Sequence, residues 1–352
     1  MRRLLRLLFW FAFFAGEVFA VTGGYRLYQD VTGPGPLGAA RIIVIPPDTG
    51  LSQIAALLRD KGVVRSRLSF ILGAVVSGRR GALMAGEYRF PPRTSAIEAA
   101  ALLASGKTVT HRLTVPEGLT CAEVLALVAA APALSGETGR CPGEGTLMPD
   151  TYFYRYGEPR TVLIDRMQRA MRRALARAWA ERRPEPPVDS PRQLLILASI
   201  VEKETARPVE RARIAGVFLN RLRLGMKLQS DPTVIYALSE DGRRPFKGPL
   251  TRADLATDSP YNTYRVYGLP PGPIDSPGMA ALLATARAAD TSDLYFVADG
   301  GGGHVFAKTL AEQNRNVAHY HHSAVADPSA NPSAIPPASP QAGPQASPQA
   351  SH

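Results

Sequence analysis

Apolar positions along the chain change period several times, and each change marks an element. Leu7–Gly16 is an unbroken apolar and aromatic run behind Arg2, Arg3 and Arg6, and the chain stays mostly apolar to Gly24. A bilayer span needs about 20 such residues. Leu7–Gly24 approaches that with one charge inside, Glu17, past the middle of the run. Basic residues ahead of the run place the N-terminus in the cytoplasm and export the body. An uncleaved transmembrane anchor is the expectation; a cleaved signal peptide, with a poor site at Val18-Phe19-Ala20, is the rival reading. Residues 25–40 are rich in Gly and Pro and read as a stalk.

The β-branched run Arg41–Pro46 predicts a strand. Leu51–Arg59 has helical spacing with Thr49 as a candidate cap, Ser66 opens a second apolar helix to about Ser77, and Gly86–Phe90 alternates as a strand. This β-α-α-β unit has to bury its sheet face against its two helices. A helix (Ser95–Ser105), a strand (Val109–Val115) and a helix (Thr120–Ala131) follow, the last with Thr120 and Glu123 as a capping box. Leu163, Met167, Ala170, Met171, Leu175 and Ala178 recur at three and four, which predicts an amphipathic helix over 161–183. Arg166, Arg169, Arg172, Arg173 and Arg177 cover the rest of it as a solvated face, and Pro184, Pro186 and Pro187 end it.

Ser190-Pro191-Arg192-Gln193 is a helix start with serine as cap, proline first and glutamine third. Leu194–Val201 is apolar on every side, so that helix lies inside its domain. Leu294–Asp299 and His304–Phe306 read as strands joined across Gly300–Gly303. No Lys-Ser/Thr follows those glycines and no helix opens there, so they are not a phosphate loop. From Asp327 onward the chain is Pro, Ser, Ala and Gln, which cannot bury enough surface to fold and predicts disorder. The fold class expected is α+β.

The net charge of +11 suits an anionic partner, and a genome that favours arginine explains it equally. Exported Cys121 and Cys141 are free to pair, closing a loop of about 20 residues, or to stay reduced. No CxxC, Gly-x-Ser-x-Gly or His-Glu-x-x-His pattern occurs, and His319, His321 and His322 read as a fraying end rather than a metal site. No metal or cofactor is expected. That leaves carboxylate chemistry. Glu202 and Glu204 end the buried helix about 200° apart, so they cannot share one face. Glu202 adjoins the apolar run, where lost hydration raises a carboxyl pKa towards the range a general acid requires. The competing reading pairs both glutamates with arginines such as Arg211 or Arg221. Gln229, Ser230 and Asp231 precede a turn, and Tyr261-Asn262 sits beside the stiff Gly268–Ile274 loop; hydroxyls, amides and aromatic faces there suit sugars, although capping and loop packing explain them as well. His304 is a further substrate-contact candidate or a structural histidine.

Several motifs in order resemble the YceG-like family of endolytic murein transglycosylases: Ala198–Glu204, Asn220-Arg221-Leu222, Leu228–Thr233, Tyr261–Tyr264 with Gly268–Gly272, and Tyr295–Asp299 with Gly303-His304. Pro149–Tyr152 looks like that family's upstream motif. Ala237 and Gln313 depart from it, where glycine and histidine are common. Taken with the patterns above, the resemblance divides the chain into six segments: a cytoplasmic stub and transmembrane anchor (1–24), a linker (25–40), a LysM-like module (41–92), an intermediate α/β region (93–160), a YceG-like mixed α/β catalytic domain (161–322) and a disordered tail (323–352). It places the body outside the inner membrane, on peptidoglycan strands beside their synthases, and maps the catalytic glutamate to Glu202. Glu202 would protonate the oxygen joining MurNAc to GlcNAc and then take the C6 hydroxyl proton, giving a 1,6-anhydro end. Gln229, Ser230, Asp231, Tyr261, Asn262 and His304 are the candidate sugar contacts. Three alternatives stay open: a water-using muramidase with Asp231 as its second carboxylate, a wall-binding scaffold without catalysis, and a nucleic-acid binder, which conflicts with export.

Overall fold

Side-chain caps set several helix starts in the computed structural model, which describes residues 2–326 apart from 185–187, 241 and 245. The chain divides into two compact units. The first comprises Met1–Arg112, Pro132–Ser135 and Phe153–Glu158, and the second holds the remainder.

The first unit opens with helix α1 (Arg2–Thr32). Strand β1 (Arg41–Ile45), helices α2 (Leu51–Asp60) and α3 (Arg67–Val76), strand β2 (Gly86–Phe90) and helix α4 (Ala96–Ser105) follow. β1 and β2 pair antiparallel, with Ile43 opposite Tyr88 and Ile45 opposite Gly86. Alternate residues of the pair turn inward: Ile43, Ile45, Tyr88 and Phe90 pack with Ile54, Leu58, Phe70, Ala99 and Leu103. The expected β-α-α-β unit is present, and its sheet face is buried as a two-stranded sheet requires. Ser66 caps α3 through the Ser69 N–H at 3.1 Å, and Ser95 with Glu98 forms a capping box on α4. Thr49 does not cap α2. Its hydroxyl donates to the Pro46 carbonyl at 2.8 Å, and the Gln53 side chain accepts the Gly50 N–H at 3.0 Å instead.

One expectation near the N-terminus changes, and the transmembrane span is not confirmed. The stalk expected over 25–40 begins as helix, because Tyr25–Thr32 contains no proline or glycine and Val31 packs inward as α1 meets α3 and α4. Among the described residues no helix is long and apolar enough to cross a membrane. Glu17, Thr22, Arg26 and Asp30 dilute the apolar run within α1. The tail from 327 onward lies outside the described residues.

Strands β3 (Thr110–Thr114) and β4 (Thr151–Arg155) make a second two-stranded sheet. In the second unit, α5 (Cys121–Ala130) starts at the Thr120–Glu123 capping box. Then come α6 (Arg160–Ala180), α7 (Pro191–Glu204), α8 (Pro208–Arg223), α9 (Asp231–Leu238) and α10 (Met279–Ala286). The hairpin β5 (Tyr295–Ala298) and β6 (His304–Ala307) pairs Ala298 with His304, and α11 (Leu310–Ala326) closes the described chain. α7 is buried on all sides from Leu194 to Val201. One face (Leu197, Ile200, Val201) packs on Ile214, Phe218 and Leu228, and the other (Leu194, Leu195, Ala198) packs on Met171, Ala174 and Leu282. α8 carries Gly216 where a Cβ would meet the Ala289 carbonyl at 2.6 Å, so only glycine lets the following chain lie this close. Cys121 and Cys141 are disulfide-bonded, with Cα atoms 6.0 Å apart.

Candidate active site

The end of α7 is fixed by its start. The Ser190 hydroxyl accepts the Gln193 N–H at 3.3 Å, Pro191 takes the first turn, and seven buried apolar residues with the buried Ser199 lock the helix rotation. Glu202 therefore emerges from the core at one set angle. Its side chain is 5% exposed, and both carboxylate oxygens are engaged. Arg211 of α8 donates to Oε1 at 2.8 Å, and the Gly278 N–H, capping the start of α10, donates to Oε2 at 2.9 Å. Burial raises the Glu202 pKa above the usual carboxylate range, opposed by the Gly278 hydrogen bond and the Arg211 charge. Glu117 pushes in the same direction as burial, since its carboxylate stands 3.6 Å from the same Arg211 nitrogen. A carboxyl whose acid form is favoured by desolvation, and whose ionised form has two donors waiting, is suited to give and regain a proton.

Behind this pair lies Asp275, fully buried, with neither oxygen hydrogen-bonded. Burial raises its pKa well above the usual carboxylate range, opposed by the Lys203 charge and reinforced by the neighbouring carboxylates. Gly118, at φ +76°, lets the facing loop turn beside it: a Cβ there would stand 3.7 Å from Glu202 Cγ and 3.8 Å from both Asp275 Oδ2 and Lys203 Cδ. Glu144 accepts the Cys121 N–H at 2.7 Å and is pushed to about 7 by burial.

Glu204 goes elsewhere. Ser230 donates to it at 2.5 Å, burial pushes it to about 7, and Asp231 adds repulsion. Asp231 accepts the Tyr264 hydroxyl at 2.5 Å. The buried Arg221 completes this second cluster. Its guanidinium donates to the Leu294 and Leu228 carbonyls, both at 2.7 Å.

The other residues singled out in the sequence divide accordingly. Gln229, at φ +52°, turns the chain into α9, and its side-chain oxygen accepts Arg221 at 3.4 Å. Ser230 is buried, and its N–H is held by the Thr263 hydroxyl at 3.0 Å. Asn262 is fully buried; its amide donates to the Leu255 and Thr257 carbonyls, and its oxygen accepts the Tyr264 N–H. It shapes its own loop. Tyr261 packs its ring 4.9 Å from Tyr236. His304 pairs through Nδ1 with Glu210 at 2.7 Å, and Arg207 donates to the Gly301 carbonyl at 2.6 Å to close the hairpin turn. Glu202 thus stands with Arg211, Glu117, Gly278 and Asp275, while Gln229, Ser230 and Asp231 gather around Glu204 and Arg221. Among the partners of Glu202, only Arg211 was visible in the sequence, as a salt-bridge candidate. Glu117 carried a faint signal, a charged residue between Pro116 and Gly118 ahead of a capping box.

A model of the YceG-like family matches residues 43–319. The endolytic murein transglycosylase of Bacillus subtilis is 31% identical over 306 residues, covering 78% of this chain and 82% of that protein. The endolytic murein transglycosylase of Streptococcus pneumoniae is 30% identical over 346 residues, and the match spans 85% of this chain and 62% of that longer protein. A crystal structure of a yceG-like protein from Listeria monocytogenes superposes with a TM-score of 0.51 at 30% identity, covering 78% of this chain and 98% of that one.

Proposed function

Because the chain belongs to the YceG-like family, we propose that it is an endolytic murein transglycosylase with Glu202 as its catalytic acid. The observation that carries this reading is a carboxyl at the end of a helix buried from Leu194 to Val201, raised by burial and flanked by two fixed donors. Glu202 delivers its proton to the oxygen linking MurNAc to GlcNAc, and positive charge develops at C1 as that bond opens. The C6 hydroxyl of the same MurNAc closes on C1 and leaves a 1,6-anhydro end. Arg211 and the Gly278 N–H stabilise the carboxylate that remains, the arrangement expected where charge appears in the transition state. Water is not consumed, which distinguishes the reaction from the two-carboxylate hydrolysis of ordinary glycosidases.

The Asp231 hydrolase alternative loses support, since Asp231 hydrogen-bonds Tyr264 and neighbours Glu204. The proposed seat of the reaction is the outer face of the cytoplasmic membrane. Support comes from α1, where Phe9, Trp10, Phe11, Phe14 and Phe19 are exposed along one helix behind an arginine-rich start. Aromatic residues so exposed belong at a lipid interface more readily than in water. The β-α-α-β unit is proposed to hold glycan as a LysM-like module, and peptidoglycan synthases are the proposed neighbours.

Mass spectrometry of the ends released from uncrosslinked glycan strands tests the chemistry. Ends lighter by one water than a reducing sugar support the transglycosylase. Ordinary reducing ends would make the protein a hydrolase.

A further inference from the structure

The second half of the reaction needs a group to take the C6 hydroxyl proton, and the Glu202 carboxylate left by the first half is already held at both oxygens. Arg211 holds its Oε1, the Gly278 N–H holds its Oε2, and its side chain is 5% exposed. Glu117 reaches the same Arg211 nitrogen at 3.6 Å, with its side chain 44% exposed. Gly278 touches both acids. Its N–H bonds Glu202, and a methyl group in place of its hydrogen would overlap the Glu117 carboxylate. The loop that carries Glu117 is fixed rather than free. Gly118 donates to the Ser276 carbonyl at 3.0 Å, and Ser276 donates back to the Leu119 carbonyl at 2.8 Å.

The product adds a chemical argument. A 1,6-anhydro bridge closes on the ring face from which the β-linked oxygen departs. Acid and base then work from one side of the sugar and have to be neighbours, as Glu202 and Glu117 are across Arg211. An inverting hydrolase places its two carboxyls on opposite faces. Two carboxyls in unlike surroundings, one desolvated and one open to water, also divide acid and base roles as such pairs do elsewhere.

We propose that Glu117 is a second catalytic residue, the carboxylate that takes the C6 hydroxyl proton while Glu202 protonates the leaving oxygen. This rests on the transglycosylase reading above. The C1–O4 bond breaks and O4 leaves with the Glu202 proton. The O6–C1 bond forms and the O6 proton passes to Glu117. Glu117 then releases that proton to solvent, Glu202 regains one, and no water is consumed. The charged and titratable groups facing the pair are Arg211 from α8, Lys203 from α7 and Asp275 from the loop before α10, with Glu144 and Glu123 beyond Asp275.

The test measures anhydro ends released by the wild type, Glu117→Gln, Glu117→Asp and Gly278→Ala from pH 4 to 9, with thermal unfolding as the folding control. Glu117→Gln is expected to lower kcat about 100-fold or more, with KM little changed. It should abolish the acid limb of the pH profile and leave the alkaline limb in place. Glu117→Asp should recover part of the rate. Gly278→Ala suits the local backbone (φ −77°) and keeps the N–H to Glu202, so it should fold and lose activity by displacing Glu117. If Glu117→Gln is too slow to profile, formate added to Glu117→Ala decides: recovered anhydro ends support the base, and none overturns it. Wild-type rates in Glu117→Gln, or a slowed enzyme with its acid limb intact, also overturn the proposal, since Glu117 would then only position Arg211. Failure of the underlying reading would look different, because the wild type itself would release no anhydro ends.

Discussion

Glu202 and Glu204 stand two residues apart on one helix, both raised by burial, yet they sit in opposite kinds of surroundings. Glu202 meets an arginine, a helix-start N–H and a half-exposed second carboxylate. Glu204 meets a buried serine and a tyrosine-bound aspartate, beside an arginine whose donors go to backbone carbonyls. With Glu202 as the proposed acid, a raised carboxyl pKa is not by itself sufficient to mark the catalyst. What separates the two is a donor set aimed at the ionised form together with an open neighbour. The Glu204 cluster instead ties α7, α9 and the 261–264 loop into one scaffold.

The largest effect that would sharpen this contrast comes from Arg211→Met. Removing one partner of a buried ion pair costs about 3–5 kcal/mol, and the charge that lowers the Glu202 pKa disappears with it. Activity should fall at neutral pH, and the alkaline limb of its profile should move to higher pH. An unmoved limb would separate Arg211 from Glu202. Next in size is the disulfide. Replacing Cys121 and Cys141 by serine opens a loop worth about 3 kcal/mol and should lower Tm by about 6–12 °C. The rate at permissive temperature should change only a few-fold, and a collapse in rate there would tie the loop to catalysis through Glu144.

The smallest effect is the most discriminating for Glu204. Its folded pKa of about 7 exceeds the ordinary glutamate value of 4.5, so the folded state binds the extra proton between those values. Stability is then fully present below about 4.5 and declines as pH rises towards 7, after which it levels. Glu144 contributes with the same sign. Glu204→Gln should raise Tm relative to wild type at pH 8 and change it little at pH 4.5. The opposite sign would mean Glu204 is ionised in the fold and paired with Arg221.

Much of the scaffold was legible because its signals are local. Ser66, Ser95 with Glu98, Thr120 with Glu123, and Ser190 with Gln193 cap helices where the sequence places them. The glycine run turns the expected hairpin. α10 was not visible, because it starts at a glycine with no side-chain cap and its Ala-rich run has no polar face to set a period. The helical first half of the expected stalk lies ahead of Gly33–Gly38, the segment whose Gly and Pro carry the stalk signal. Of the candidate site, the sequence pointed to Glu202 and to Arg211 as a salt-bridge candidate. Gly278 lies 76 residues and Arg211 nine residues along the chain from Glu202, and no periodicity reports such contacts. Asn262 and Ser230 carry the side chains that bind sugars in many proteins, but here burial turns both towards the scaffold.

The measurement that tests the central claim most directly compares Glu202→Gln and Glu204→Gln on uncrosslinked glycan strands, counting anhydro ends released by folded protein. The account predicts that Glu202→Gln falls by about 1,000-fold or more in protein that remains folded at the assay temperature, within the range for losing a general acid, while Glu204→Gln keeps its rate within a few-fold. Wild-type release by Glu202→Gln, or silence of Glu204→Gln beside an active Glu202→Gln, would contradict it.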